Sequence, residues 1–167
     1  MIDLVLIVLA VIFLIFIIWI ATSFFGAPFQ PSSNKELQQM IEILNVKKGQ
    51  KIADLGSGDG KVVIEFAKKG AEVHGFEINP FLVWLSRRKI KKLGLEKKAF
   101  IHRKNFWKQD FSDFDIVTLF QIYYVMHGLE NKLKEELRKG AKIISNTWRF
   151  PHWKSEKQIG KIYLYKI

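Results

Sequence analysis

Apolar and polar positions divide this chain into three parts. From Leu4 to Ala21 no polar residue interrupts the sequence. As a helix this run would span about 27 Å, close to the hydrocarbon thickness of a bilayer. Trp19, Phe24 and Phe25 lie at its far end, where aromatic rings favour the membrane interface. The segment Gly26-Ala-Pro-Phe-Gln-Pro-Ser-Ser33 then breaks any regular pattern with two prolines and two serines. Beyond it, helical and strand-like spacings alternate. The pattern predicts an anchor over residues 1–23, a linker over 24–33 and a folded domain over 34–167.

Within the third part, Asn34 caps a helix with Leu37, Met40, Ile41 and Leu44 on one face. Strands are predicted over 51–55, 72–77, 99–103, 115–121 and 141–146. Helices are predicted over 61–69, from the Asn79-Pro80 start to about Leu93, and over 128–139. Gly70, Gly94 and Gly140 are their stops. The tail from Trp153 to Ile167 reads as a hairpin turning near Gly160. This alternation predicts an α/β fold, with a mostly parallel sheet covered on both faces and closed by a C-terminal β-hairpin. Ligands bind such sheets at the C-terminal ends of the strands.

Charge sharpens the division. All 27 Lys and Arg lie after residue 33, and of the 16 acids only Asp3 precedes it. The folded part therefore carries a net charge of +12, one more than the +11 of the whole chain. Anionic headgroups, nucleic acid or an acidic protein are the partners such a charge suits; a solvated lysine-rich surface is the plainer explanation. The densest basic cluster, Arg87-Arg88-Lys89 with Lys91-Lys92, falls on a predicted helix and reads as its solvated face. A cleavable signal peptide would want a basic start and a small-x-small site; Met-Ile-Asp and Thr22-Ser-Phe-Phe supply neither. The expectation is a single-pass membrane protein, with its basic domain on the cytoplasmic side. Without cysteine there is no disulfide, thiol nucleophile or Cys-type zinc site, and no metal is expected.

Between the first strand and the next helix stands Asp54-Leu-Gly-Ser-Gly-Asp-Gly60. Glycines at 56, 58 and 60 let the backbone turn sharply and approach a ligand. A dinucleotide loop needs glycine or alanine where Lys61 stands, so that template fails. The spacing, with an acid two residues before the first glycine, resembles the S-adenosylmethionine loop of Rossmann-like methyltransferases. On that likeness Asp54, Gly56, Ser57, Gly58 and Gly60 hold the amino-acid end of the cofactor. Glu77, ending the second strand, accepts the ribose hydroxyls. Asn105 meets the adenine amino group, and Phe106 or Trp107 stacks on the ring.

Gly26-Ala-Pro-Phe-Gln-Pro, the glycine loop, Gly75-Phe-Glu-Ile-Asn-Pro-Phe-Leu-Val-Trp84, Asn105-Phe-Trp-Lys108 and Phe150-Pro-His-Trp153 occur in the order seen in a family of membrane-anchored protein-lysine methyltransferases, which this chain resembles. Its characterised eukaryotic members act on the ATP synthase c subunit or the adenine nucleotide translocase. The resemblance implies a Rossmann-like class I methyltransferase fold, S-adenosylmethionine as cofactor and a membrane-associated protein as substrate. It also implies that Pro28 and Phe29 close over the cofactor. Asn105 replaces the family's usual Asp, and Phe120-Gln-Ile-Tyr-Tyr124 departs from its more proline-containing stretch.

A lysine acceptor must lose its proton before attack, and a dry aromatic pocket favours that loss. Tyr123, Tyr124 and Trp148, just after the fourth and fifth strands, are the expected pocket walls. His127 reads as helix surface. The absence of an Asn/Asp-Pro-Pro-Tyr stretch argues against methylation of adenine or glutamine amino groups. Two rivals stay open: a lipid or other small acceptor at the membrane, and a non-catalytic nucleic-acid-binding domain. Nucleic acid is not the expected partner.

Overall fold

The computed structural model describes residues 2–24 and 32–167, with side chains of the first helix described over 4–17. That helix, α1 (Ile2–Phe24), runs for 23 residues, and its described side chains from Leu4 to Ile17 are exposed throughout. Among the described residues no helix is long and apolar enough to cross a membrane. The described side chains end at Ile17, short of the helix itself, so the expected membrane span is not established by the structure.

The domain alternates as the spacing predicts. Its elements are α2 (Asn34–Leu44), β1 (Lys51–Leu55), α3 (Lys61–Lys68), β2 (Glu72–Glu77), α4 (Pro80–Lys92), β3 (Ala99–Arg103), β4 (Ile116–Leu119), α5 (Tyr123–Glu136), β5 (Lys142–Asn146), β6 (Lys157–Ile159) and β7 (Ile162–Lys166). The sheet order is β3-β2-β1-β4-β5-β7-β6. The first five strands are parallel; β7 returns antiparallel beside β5 and forms a hairpin with β6.

Alternate residues along each strand feed two cores, as the two-residue period of a strand requires. Ile52, Ile116, Ile144 and Ile162 face the layer built by α2, α3 and α4. Ala53, Val117, Ile143 and Tyr165 face the layer of α5. The second layer has one long helix, and aromatic side chains fill the rest: Phe76, Phe111, Phe114 and Phe150 are all buried there. The Phe150-Pro-His-Trp153 segment is therefore a fastening. Phe150 lies 4.7 Å from Tyr165 and 5.6 Å from Trp153, ring centre to ring centre. Glu130 of α5, buried, accepts the His152 N–H at 3.0 Å.

Three local expectations change. The cap of α2 is Ser33, in a reciprocal capping box with Glu36, and Asn34 is the first helical residue. The strand expected over 115–121 stops at Leu119, so Gln121 lies beyond it. The helix expected from Gly128 begins at Tyr123, and Gly128 falls inside it. Space explains that glycine: a Cβ there would stand 3.0 Å from the Trp107 ring.

Tyr165 Oη accepts the buried Phe150 N–H at 3.0 Å. Tyr165→Phe keeps the ring and orphans that donor, so unfolding free energy should fall by about 1–3 kcal/mol. Denaturant titration checks this; a loss below about 0.5 kcal/mol would mean the bond fastens nothing.

Candidate cofactor and acceptor site

The candidate crevice lies at the C-terminal ends of β1 and β4, where the strand order reverses. Register sets Thr118 beside Asp54, and the Thr118 hydroxyl donates to Asp54 Oδ1 at 2.7 Å. Asp54 is 5% exposed. Burial pushes its carboxyl up to about 7, and the charges of Glu77 and Asp59 act in the same direction against the Thr118 bond. Asp59 is matched by Lys89 at 2.6 Å, whereas Asp54 has no cation beside it among the described residues.

The glycine loop is shaped from within. Gly56 and Ser57 donate their amides to Phe76 O at 2.9 and 3.1 Å, and Gly60 donates to Ser57 O at 2.9 Å. Gly58 donates to Glu77 Oε2 at 3.0 Å, while Asn79 N–H reaches Glu77 Oε1 at 2.8 Å. Glu77 is nearly buried and keeps one lone pair on each oxygen for a further donor. Gly56 and Gly60 sit at φ +77° and +80°. A Cβ would come within 2.5 Å of Gln121 Nε2 at the first and 2.7 Å of Ser86 Cβ at the second. Both conformation and space demand glycine. Ser57 turns inward: a Cβ on Gly75 would meet its Oγ at 2.6 Å. Among the described residues, Ser57 Oγ is the buried side-chain oxygen without a partner.

After β3, Asn105 is exposed, and its Oδ1 already accepts the Trp107 N–H at 3.0 Å, capping a short 3₁₀ turn over Phe106–Lys108. The oxygen expected to meet an adenine amino group is thus engaged. Phe106 is half-buried against the α5 layer, and Trp107 lies on Gly128. Phe29 and Pro28 lie outside the described residues.

Of the three expected pocket aromatics, two converge. Tyr123 and Trp148 stand 5.6 Å apart, ring centre to ring centre. Tyr124 touches Tyr123 edge-on at 6.1 Å but is 88% exposed, so it is an outer neighbour. Trp148 is aimed by a strained turn. Thr147 has φ +75°, and Trp148 N–H donates to Asn146 O at 3.0 Å, two residues back. A positive φ at the centre of such a three-residue turn is uncommon, more so for a β-branched side chain. Ser145 Oγ, donating to Trp148 O, and Lys161 O, receiving Thr147 N–H at 2.8 Å, hold it.

Sequence reasoning missed Gln121, Thr118 and Asn146. Gln121 is buried and donates to Leu55 O at 2.7 Å, bracing the loop beneath Gly56. Asn146, fully buried at the end of β5, donates to Ser32 Oγ at 3.2 Å and Glu36 Oε2 at 3.3 Å. Lys61 Nζ donates to Ser32 O at 2.6 Å. The entry to α2 is thus tied to the rim of the crevice. Polar residues at the ends of apolar strands were the available signal. Among the described residues no group of acids or histidines is arranged to hold a metal.

Comparison with known proteins decides the lineage. The family model of the ANTKMT methyltransferase domain matches residues 54–157. A protein-lysine N-methyltransferase of Saccharolobus islandicus is 31% identical, with 84% of this chain and 93% of that protein aligned. The chain belongs to the ANTKMT methyltransferase domain family. A human relative, named as the lysine N-methyltransferase of the ATP synthase c subunit, is 37% identical over 134 residues, covering 80% of this chain and 57% of that protein. The chain spans a little over half the length of such mammalian relatives. Among solved structures, an RNA methyltransferase from Salinibacter ruber in complex with S-adenosyl-L-homocysteine is 28% identical. It superimposes with a TM-score of 0.80, covering 83% of this chain and 94% of that one. This family member thus carries a Rossmann-like, S-adenosylmethionine-dependent methyltransferase domain.

The site suits that cofactor. It offers a buried carboxyl short of a cation, a second carboxylate with free lone pairs, and a cradle that any Cβ would fill.

Because its folded-state pKa is raised from 3.8 to about 7, Asp54 favours folding when protonated. That contribution is complete below about pH 4 and is lost as pH rises through about 7. Asp54→Asn keeps the acceptor for Thr118 and removes the titration. It should match the parent at pH 4 and exceed it by roughly 2–4 kcal/mol at pH 8, without cofactor. Unfolding titrations at both pH values check this; a difference independent of pH would contradict it.

Proposed function

We propose that this chain transfers the methyl group of S-adenosylmethionine to the side-chain nitrogen of lysine in a membrane-associated protein, and that α1 anchors it in the bilayer. The observation that carries the acceptor assignment is the Tyr123–Trp148 pair, two rings in tilted contact with centres 5.6 Å apart and an interplanar angle of 59°, beyond the ends of β4 and β5. Relatives named as lysine methyltransferases, from Saccharolobus islandicus to human, support it. The 23-residue length of α1 and the exposed apolar side chains from Leu4 to Ile17 support the anchor. Basic residues confined to the domain support a cytoplasmic face for it.

In this reading Glu77 holds the ribose hydroxyls with its free lone pairs. Asp54 faces the ammonium of the methionine part and ionises as that cation arrives. Gly56, Gly58 and Gly60 supply closeness rather than donors, since the amides of all three already bond within the protein. Gln121 and Thr118 brace the loop and the acid. Phe106 and Phe29 are assigned to the adenine side; Asn105 contributes there through its amide N–H groups. The bound cofactor supplies an electrophilic methyl on a sulfonium. Ring faces of Tyr123 and Trp148 receive the lysine cation; they are 57% and 41% exposed, so the seated substrate completes the exclusion of water that lets the neutral amine be reached at lower cost. With the cofactor held by Glu77, Asp54 and the glycine loop, the amine lone pair would take the methyl as the bond to sulfur opened, and the site's main task would be in-line alignment. Tyr124 is assigned to the pocket's outer lip.

One observation favours a different acceptor. The Salinibacter ruber relative is described as an RNA methyltransferase, and the chain is basic, at +11.

Membranes incubated with the full chain and methyl-labelled cofactor should yield label that follows protein and appears as methyl-lysine after acid hydrolysis. Tyr123→Ala and Trp148→Ala should each lower kcat/KM by about tenfold or more while cofactor binding persists. Label recovered in extractable lipid or in RNA would overturn the lysine assignment.

A further inference from the structure

Away from the crevice, the outer face of α4 leaves large apolar rings and cations uncovered together. Phe81 is 64% exposed and Trp84 53% exposed, their rings stacked at 5.9 Å. The Arg88 guanidinium lies over Trp84 at 5.4 Å. Trp84 and Arg88 line an open groove of about 480 Å³ together with Pro80, Arg87, Lys91 and Arg103 and with no acid, and Phe81 stands beside it through its contact with Trp84. Arg87 is fixed there, donating from Nε and Nη2 to Ile101 O at 3.1 and 2.6 Å. Among the described residues Arg87, Arg88, Lys91 and Arg103 make no ion pair. Four cations therefore meet solvent without a counter-charge, beside two aromatic rings that a solvated helix face would not need.

We propose that this face of α4 docks on an anionic bilayer surface. Trp84 and Phe81 would enter the interfacial layer, where rings with apolar bodies are favoured, and Arg88, Lys91 and Arg103 would meet lipid phosphates. The groove's charge is complementary to that surface and to no neutral one. The α4 N-terminus and the end of β3 border the strand ends that carry the crevice, so docking here would bring the mouth of the site toward the membrane. A single cluster on one helix and one strand end suits a plane of headgroups better than it suits the length of a nucleic-acid strand. The inference rests on the membrane-anchored reading, and the experiment separates the two.

The chain has no cysteine, so Phe81→Cys gives one attachment point for a polarity-sensitive fluorophore, and Lys139→Cys gives a control at the opposite end of the sheet. The full labelled chain is mixed with phosphatidylcholine vesicles, with or without phosphatidylglycerol, and floated. Flotation with neutral vesicles reports α1. A blue shift of the label at 81 only on anionic vesicles reports the groove. That shift should vanish in Arg88→Glu/Lys91→Glu and also, with no variant needed, at about 1 M salt, where screening shortens to roughly 3 Å. The label at 139 should not respond. Flotation with equal emission on both vesicle types would overturn the groove proposal and leave the anchor standing. Failure to float with neutral vesicles, with the anionic shift retained, would do the reverse. A shift produced by RNA without vesicles, and none by anionic lipid, would reassign the face to nucleic acid and overturn the proposal.

Discussion

The Glu77 carboxylate receives one backbone N–H from each side of the crevice, Gly58 from the loop after β1 and Asn79 from the start of α4. That double acceptance sets the shape of the site. It ties the glycine loop to the neighbouring strand, fixes where α4 begins, and orients both carboxylate oxygens with a lone pair each still available. The Phe76 carbonyl adds two further amides from the same loop. The loop's form is thus decided by β2, one strand over, and its glycines are needed because the bent backbone runs against Gln121 and Ser86.

The Tyr123–Trp148 pair obeys a different constraint. Thr147 holds a left-handed φ that a β-branched residue rarely adopts. Such a conformation costs on the order of 1–3 kcal/mol and persists only where its surroundings enforce it. Ser145, Asn146 and Lys161 do so here, and the result is Trp148 turned toward Tyr123. Strain at one residue thus turns a strand end so that its next ring meets Tyr123.

Much of this fold was legible in the chain, because hydrophobic period and glycine stops report local structure directly. The strand ends at Leu55, Glu77 and Arg103 are where the pattern sets them. The start of α5 was not legible: Gly128 looks like a helix boundary, and only the Trp107 ring packed on it explains a glycine mid-helix. The acids at 54 and 77 stood out by spacing. Thr118, Gln121 and Asn146 did not, since their partners at Asp54, Leu55 and Ser32 are distant in sequence. Asn105 was identified as a site residue, but its oxygen's engagement with Trp107 N–H is a local turn that spacing does not reveal. Tyr123 and Trp148 come together in the fold, whereas the exposure of Tyr124 follows from helical geometry at the first turn of α5, whose start the spacing misses.

The proposed function makes cofactor selection in this crevice turn on Glu77 recognising a ribose while the loop beside it receives a sulfonium amino acid. Calorimetric titration of the full chain with S-adenosylhomocysteine and with NAD, for the parent and for Glu77→Gln, tests this most directly. The predicted result is saturable binding of S-adenosylhomocysteine and none of NAD, with affinity falling about a hundredfold or more in the variant as one acceptor becomes a donor facing the sugar hydroxyls. Unchanged affinity in Glu77→Gln, or preference for NAD, would contradict it.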